Sequence, residues 1–379
     1  MYLSNLYVSL NLHYNIQEEL YIQNQSAVNF ALGNNVLEKE IPIEENSNIG
    51  SNYKVKTHGL FSVLVCNTFR EADTVTSTYF TGSFSRNNTA MYLANFGQNI
   101  SYSGNVSIVG DCLLPRVYIE TSYIKNEISS IKIDGKKSLS KTALPQVSEK
   151  LTSVVKELMF SENSTYIRGD IRDTLSYNSF VKPTVEVKVN SVLGGKTIKG
   201  NFVLRNKDSI FVRKNAVLED VILVAPKVIF EEGFEGNVQV IADEKIEVGP
   251  KVKLGYPSVL CLYSGNANQN SIEIKKEATL LGSIVLFGNP MEKIASNSIS
   301  LEKGSFVLGD IYCTGKLDLQ GTVYGSVYTN RIFYKTESAV YDNLMGDLKI
   351  DVSKRPEYFI GVPLFDDEKV RYGIIKKVK

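Results

Sequence analysis

The chain has only two histidines, His13 and His58, and four cysteines, Cys66, Cys112, Cys261 and Cys313, in 379 residues. The cysteines are scattered, with no Cys-x-x-Cys pair, so the spacings support neither a metal site nor a disulfide framework. They read as small core hydrophobes. Net charge is also missing: 42 basic residues face 41 acidic ones. A balanced chain has no electrostatic drive toward nucleic acid or anionic lipid. The basic residues near the end, Lys376, Lys377 and Lys379, read as a solvated tail. No run of eighteen apolar residues occurs and no signal peptide is legible, so no membrane span is visible.

What is present is a six-residue beat. Ile210, Ala216, Ile222, Val228, Phe234, Val240, Ile246 and Val252 stand six apart. The phase returns at Ile272, Ala278 and Ile284, and again at Ile299, Ser305, Ile311, Leu317 and Val323. Neither a helix nor a hairpin has this period. A coil of about eighteen residues has it when three short strands each turn alternate residues inward. The equivalent positions Ile210, Val228, Ile246, Ile272, Ile299 and Leu317 are separated by 18, 18, 26, 27 and 18 residues. The two long gaps hold polar stretches that such a stack tolerates as outside loops. About seven coils would make a rod on the order of 35 Å long.

The expected fold is mainly β: a triangular parallel β-helix with an N-terminal α-helix, a small antiparallel β region and an inserted helix. Residues 1–36 form the amphipathic helix, with a heptad-like stripe of Leu3, Tyr7, Leu10, Tyr14, Tyr21, Val28 and Ala31. It starts abruptly at Met1 without a cap, which would suit an anchor lost from upstream. Residues 37–89 alternate as antiparallel strands with a turn at Arg70–Asp73. Residues 90–133 read as one or more early rungs, and 134–185 as a helical insertion carrying Leu144, Val147, Leu151, Val154 and Leu158, with Pro145 in its first turn. The main β-helix spans 186–335. Residues 336–379 form a C-terminal cap, rich enough in apolar residues to fold back over the last coil and block stacking there.

Outward positions differ between the three faces. The second face carries Val217, Glu235, Lys253 and Thr279 and reads as wet. The first turns from Phe211 and Ile229 to Glu247, Glu273, Ser300 and Asp318. The third carries Leu223, Ile241, Val285 and Tyr312, with Val259 beside them. A flank apolar on both sides must be covered, either by the helix around 144–158 or by a partner.

The same residues weigh against catalysis. Acyltransferases built from hexapeptide coils need a histidine base beside the coils. Here His13 reads as a helix-surface position and His58 as a strand end. β-helix enzymes that cleave polysaccharides rely on clustered carboxylates, whereas Asp220, Asp243, Glu244 and Asp310 are spread over separate corners. The "LGGKT" at 193–197 lacks the glycine a phosphate loop needs at position 190, which is Asn. No catalytic, cofactor-binding or metal-binding residue is assigned, and no cofactor is expected.

The passages "SISLEKGSFVLGDIYCTGKLDLQGTVYGSVYT" (298–329), "SIFVRKNAVLEDVILVAP" (209–226) and "SIEIKKEATLLGSIVLFG" (271–288) share an apolar pair, a charged turn, a small residue and Gly-x-Ile or its equivalent. In this the stretch 209–335 resembles the bactofilins, bacterial scaffold proteins. That resemblance implies right-handed coils, end-to-end stacking without nucleotide, and membrane association. It departs from them in its long flanks and corner loops. The layout, a leading helix and then a β-rich body, also looks like an anchored envelope or pilin-like component. The expected function is therefore non-enzymatic: a self-associating structural component of a bacterial cell envelope, membrane-anchored or on the cytoplasmic face of the membrane. Its partners would be itself or other envelope proteins. The alternative is a carbohydrate-binding or carbohydrate-active β-helix protein with a polysaccharide partner.

Overall fold

In the computed structural model, the structure describes residues 2–33, 38–41, 48–84, 88–124, 128–160, 166–169, 171, 174–265, 269–288, 296–366 and 371–378. The fold is mainly β, with an N-terminal helix α1 (Tyr2–Leu32), a second helix α2 (Glu149–Phe160) and a large, predominantly parallel sheet. The long corner loops at 263–270 and 288–297 lie partly outside the described residues.

The carboxyl half of α1 lies on an antiparallel sheet. Its strands Gly50–His58, Phe61–Arg70 and Asp73–Phe84 pair in sequence, with Glu38–Ile41 on one edge. Arg70 opposes Asp73 across the tight turn expected there, and Glu71 takes the left-handed conformation. Ala27, Val28 and Ala31 pack on Tyr53, Leu64, Cys66 and Tyr79. Asn24, wholly buried in this face, donates to Cys66 O (3.3 Å), Thr68 Oγ1 (3.2 Å) and Val75 O (3.2 Å). A buried amide needs such partners.

The rest of the chain builds parallel ladders in which each pass lies beside the one before it. Ile210, Val228, Ile246, Ile272, Ile299 and Leu317, the positions that the sequence spacing equates, stand opposite one another along one column. A second column runs through Leu254, Leu280, Val307, Val323, Ile350, Ile108 and Ile133. A third runs through Leu204, Leu223, Val240, Leu260, Ile284, Ile311, Val327, Met91 and Cys112. These columns form one continuous apolar core.

Four details differ from the expectation. First, the beat slips at one point. Asp220 has φ +60 and the ladder is irregular between Glu219 and Val221, so Leu223 faces inward and Ile222 outward. An extra residue on one strand reverses every side chain after it.

Second, residues 89–139 do not precede the main ladder in space. Strand Thr89–Leu93 pairs with Val327–Lys335, and Asn105–Val109 pairs with Lys349–Asp351. The amino-terminal passes therefore extend the carboxyl-terminal end of the ladder.

Third, the region expected as a helical insertion already contributes the ladder strands Ile167–Gly169 and Leu175–Asn178. Its helix begins only at Glu149, because Ser148 caps it: Leu151 N–H donates to Ser148 Oγ (3.1 Å). Pro145 thus lies ahead of the helix rather than in its first turn.

Fourth, the tail does not lie across the last coil. Leu344–Gly346 and Lys349–Asp351 are themselves ladder strands. The remainder runs along the flank, where Ile360–Gly361 and Arg371–Val378 pair with Asp73–Phe84 of the antiparallel sheet.

Candidate functional site

The third face carries an outward apolar column of Val224, Ile241, Cys261, Val285, Tyr312, Tyr328 and Tyr92, every member buried. The cover comes from the chain itself. Leu151, Val155 and Leu158 of α2 pack on it together with Leu144, Val362 and Leu364. Tyr312 Oη donates to Pro145 O (2.9 Å) and Tyr92 Oη to Ala143 O (3.0 Å), so the tyrosines also hold the segment leading into α2. Phe365 packs edge-on against Tyr328 with ring centres 5.1 Å apart. Arg205, bidentate on Glu186 (3.1 and 3.2 Å), donates to Leu158 O near the far end of α2 (2.8 Å). Each apolar side chain covered here stabilises by about 1.5–3 kcal/mol relative to exposure. Of the four residues assigned to this face, Ile241, Val285 and Tyr312 face outward under the cover, while Leu223 is buried from within.

The second polar locus is the seam where the antiparallel sheet meets the ladders, and sequence inspection gave no hint of it. His58, at the end of Gly50–His58, is buried between the Phe80 and Phe180 rings (centroids at 5.5 and 5.0 Å). Its Nδ1 lies 3.2 Å from Asn201 Oδ1 and its Nε2 2.9 Å from the Asp220 carbonyl oxygen. Burial pushes its pKa down to about 4, although both acceptors pull the other way. Gln239 closes the seam, accepting from Leu60 N–H (2.7 Å) and donating to His58 O (2.9 Å). Gly59 (φ +61) leaves that amide its space, since a Cβ there would meet Gln239 Oε1. Asp220 is held by Lys376 Nζ at 2.6 Å, yet burial still raises its carboxyl above the usual range. The seam's polar groups are spent on joining the two parts. Enclosed in this way, His58 has the environment of a structural residue, not of a solvent-facing base.

The other candidate residues lie apart in separate contacts. His13 is on the exposed part of α1. Glu244 pairs with Lys227 (3.0 Å), and Asp310 pairs with Arg355 (2.9 Å) while accepting from Ser326 N–H (3.0 Å). Burial raises the Asp243 carboxyl. The four cysteines are free and buried, and burial pushes the Cys66, Cys112 and Cys313 thiols up to about 12, which keeps them protonated and unreactive. Gly194 and Gly195 form a turn fastened by Asn215, whose Oδ1 accepts from Gly195 N–H (3.1 Å). Among the described residues no three His, Cys, Asp or Glu side chains come together as a metal-binding group.

A groove of about 430 Å³ on the second face runs past Val217, Glu219, Glu235, Lys253, Gly255 and Leu281. Its two carboxylates are tied to lysines: Glu219 to Lys199 and Glu235 to Lys253, each at 2.7 Å. Among the described residues no aromatic side chain lines it. On the first face, Lys245 bridges Glu247 (2.7 Å) and Glu273 (3.2 Å), and Lys275 bridges Glu273 (2.9 Å) and Glu302 (3.3 Å).

The two ends of the ladder are different. At one end Glu120–Thr121, Ser130–Asp134 and Lys137–Leu139 each have a ladder partner on one side only among the described residues. At the other end the same holds for Ile167–Gly169, Leu175–Asn178 and Val192–Leu193. Exposed large apolar residues gather at these ends: Val117, Tyr118, Tyr123, Ile128 and Leu139 at one, Ile167, Leu175, Tyr177, Val181 and Val192 at the other. The remaining large group of them is on α1.

No protein-family model and no curated protein matches this sequence. Among solved structures, the competence-associated pilin ComZ from Thermus thermophilus aligns with 90% of this chain and 87% of its own, at 9% identity and a TM-score of 0.25. At that score the likeness bears on neither fold nor function. No helix among the described residues is long and apolar enough to cross a membrane.

Proposed function

We propose that this protein is a non-enzymatic structural component of a bacterial cell envelope. Its ladders wind as a right-handed triangular β-helix, and copies associate end to end. The observation that carries this reading is the contrast between flanks and ends. The apolar flank is closed by the chain's own helix and tail, whereas both ends present half-paired strands and exposed apolar side chains. Parallel edge strands at opposite ends of one stack can continue each other's ladders in the next copy, a heterologous contact that propagates. The bactofilin-like repeats support the handedness and the envelope setting. The carbohydrate alternative would call for an aromatic platform or free paired carboxylates, and the second-face groove supplies neither.

The test is a single edge substitution. In Ser130–Asp134, Ser130 N–H donates to Gly104 O, and Asp134 O accepts from Gly110 N–H, so Ile131 and Ile133 direct their backbone groups away from the stack. Ile133→Pro removes an outward donor without removing an internal ladder bond. Purified protein should form linear assemblies that lengthen with concentration in light scattering and electron microscopy. The variant should shift that dependence at least tenfold upward. A wild-type protein that stays monomeric to high concentration overturns the proposal.

A further inference from the structure

The first half of α1 is an apolar surface that the described residues leave uncovered. From Leu20 onward the helix is seated on the sheet, and Gln17 still reaches the hairpin tip, donating to Asp73 Oδ1 (3.3 Å). Ahead of that contact, residues 5–15 are exposed throughout, a free length of about 16 Å.

Its composition does not suit water. No Asp, Glu, Lys or Arg precedes Glu18, in a chain of which 22% is charged. Leu6, Tyr7, Leu10 and Tyr14 share one side at helical spacing. Val8, Leu12 and Ile16 follow four-residue steps on a side roughly half a turn away. Uncharged polar residues separate the two stripes: Ser9 and His13 along one border, Asn11 and Asn15 along the other. Leu6, Tyr7, Val8, Leu10, Leu12 and Tyr14 are each 47–68% exposed.

A single apolar stripe is satisfied by one neighbour, whereas two opposed stripes require two. The stripes also differ in shape, one long and rich in tyrosine, the other shorter and built from Val, Leu and Ile. The bulky stripe of one helix is complementary to the smaller stripe of the next, and because the stripes lie half a turn apart this heterologous contact repeats as an open row. With no ion to desolvate, such helices approach closely, and the bordering Asn, Ser and His side chains can hydrogen-bond between helices and set the register. One pair of contacts over so short a length falls well below the roughly 1,200 Å² that a stable interface buries, so the stripes favour a row of several copies over a dimer.

We propose that the free half of α1 packs side by side with the same segment of at least two other copies, bulky stripe against small stripe, in an uncharged parallel row. This contact is separate from stacking at the ladder ends, and the two can be tested independently.

The test uses the full chain carrying Ile133→Pro, at concentrations below those at which this variant stacks end to end. Sedimentation equilibrium should give a mass at least three times the 42.2 kDa monomer. Adding Leu10→Glu, which charges the bulky stripe, or Leu12→Glu, which charges the small one, should each weaken association tenfold or more. Both sites are exposed, so circular dichroism should be unchanged. As a second measure, a Leu10→Cys/Leu12→Cys protein should oxidise to disulfide-linked trimers or larger species, because its two new thiols face different neighbours and the four native ones are buried. A monomeric parent protein overturns the proposal. So does an effect from only one stripe, which would mean a simple pair. A chain that stays monomeric in buffer yet floats with phosphatidylcholine vesicles also overturns it, in favour of a lipid surface.

Discussion

Replacing Asp318 with Asn should stabilise the protein above neutral pH. Asp318 lies on the first face, between Ser300 and Phe333 on the neighbouring passes, and is 4% exposed. Gln320 Nε2 donates to both carboxylate oxygens (3.2 and 3.1 Å), but among the described residues no cation lies within ion-pairing distance. Burial raises its pKa from 3.8 to about 6, against the opposing pull of Gln320 and of the Lys335 backbone and charge. A folded-state pKa above the unfolded one gives stability that is complete below about pH 4 and lost as pH rises through 6. The shift of about two units corresponds to about 3 kcal/mol withheld from the folded state at pH 7.5. That figure is already net of the bond to Gln320, and Asn, uncharged like the protonated acid, escapes it. The variant should therefore gain up to about 3 kcal/mol at pH 7.5 and nothing at pH 4. Guanidinium unfolding of both proteins at unit steps from pH 4 to pH 8 measures this difference directly. A gap that does not change with pH would show that Asp318 keeps an ordinary pKa in the folded protein and would refute the argument.

Two further outcomes follow from the same contacts. His58, with a folded-state pKa of about 4, contributes stability that is complete above pH 6.5 and lost as pH falls toward 4, about 3 kcal/mol in all; denaturant unfolding at pH 5 and pH 7 should show most of that slope, and His58→Gln should abolish it. Gly282→Ala drives a Cβ into Ser258 O at φ +154 and should cost about 3 kcal/mol or more, whereas Gly233→Ala (φ +76), with nothing within 4 Å, should cost about 1 kcal/mol in the same assay.

Local pattern carried the columns through the ladder but not its connections. The spacing from Ile210 to Leu317 aligned the inward residues because parallel ladders repeat the same burial demand on every pass. The slip at Asp220 was hidden because Ile222 and Leu223 are both apolar, and hydropathy alone cannot tell which of two such neighbours faces in. The placing of Met91 beside Val327 was equally hidden, because an end pass has the same composition whichever end it joins. The cover on the third face was legible, since Ile241, Val285 and Tyr312 had to be buried by something. The His58 seam was not legible, because its partners Asn201, Asp220 and Gln239 lie 143 to 181 residues away.

The pairing of Met91 with Val327 also constrains the order in which the molecule can fold. During synthesis the strands within 89–139 emerge before their neighbours in 327–351 exist, and at about 5–20 residues per second they wait on the order of 10–50 s. The passes between 185 and 330 can wind as they appear, because each meets a neighbour already made. The amino-terminal passes must instead close a loop of more than two hundred residues, which makes them late and slow to join. Until they do, an incomplete ladder end is open to other nascent chains. Residues 89–139 are therefore the last passes to join the ladder, and the time they take sets how long the edge at 327–351 stays exposed.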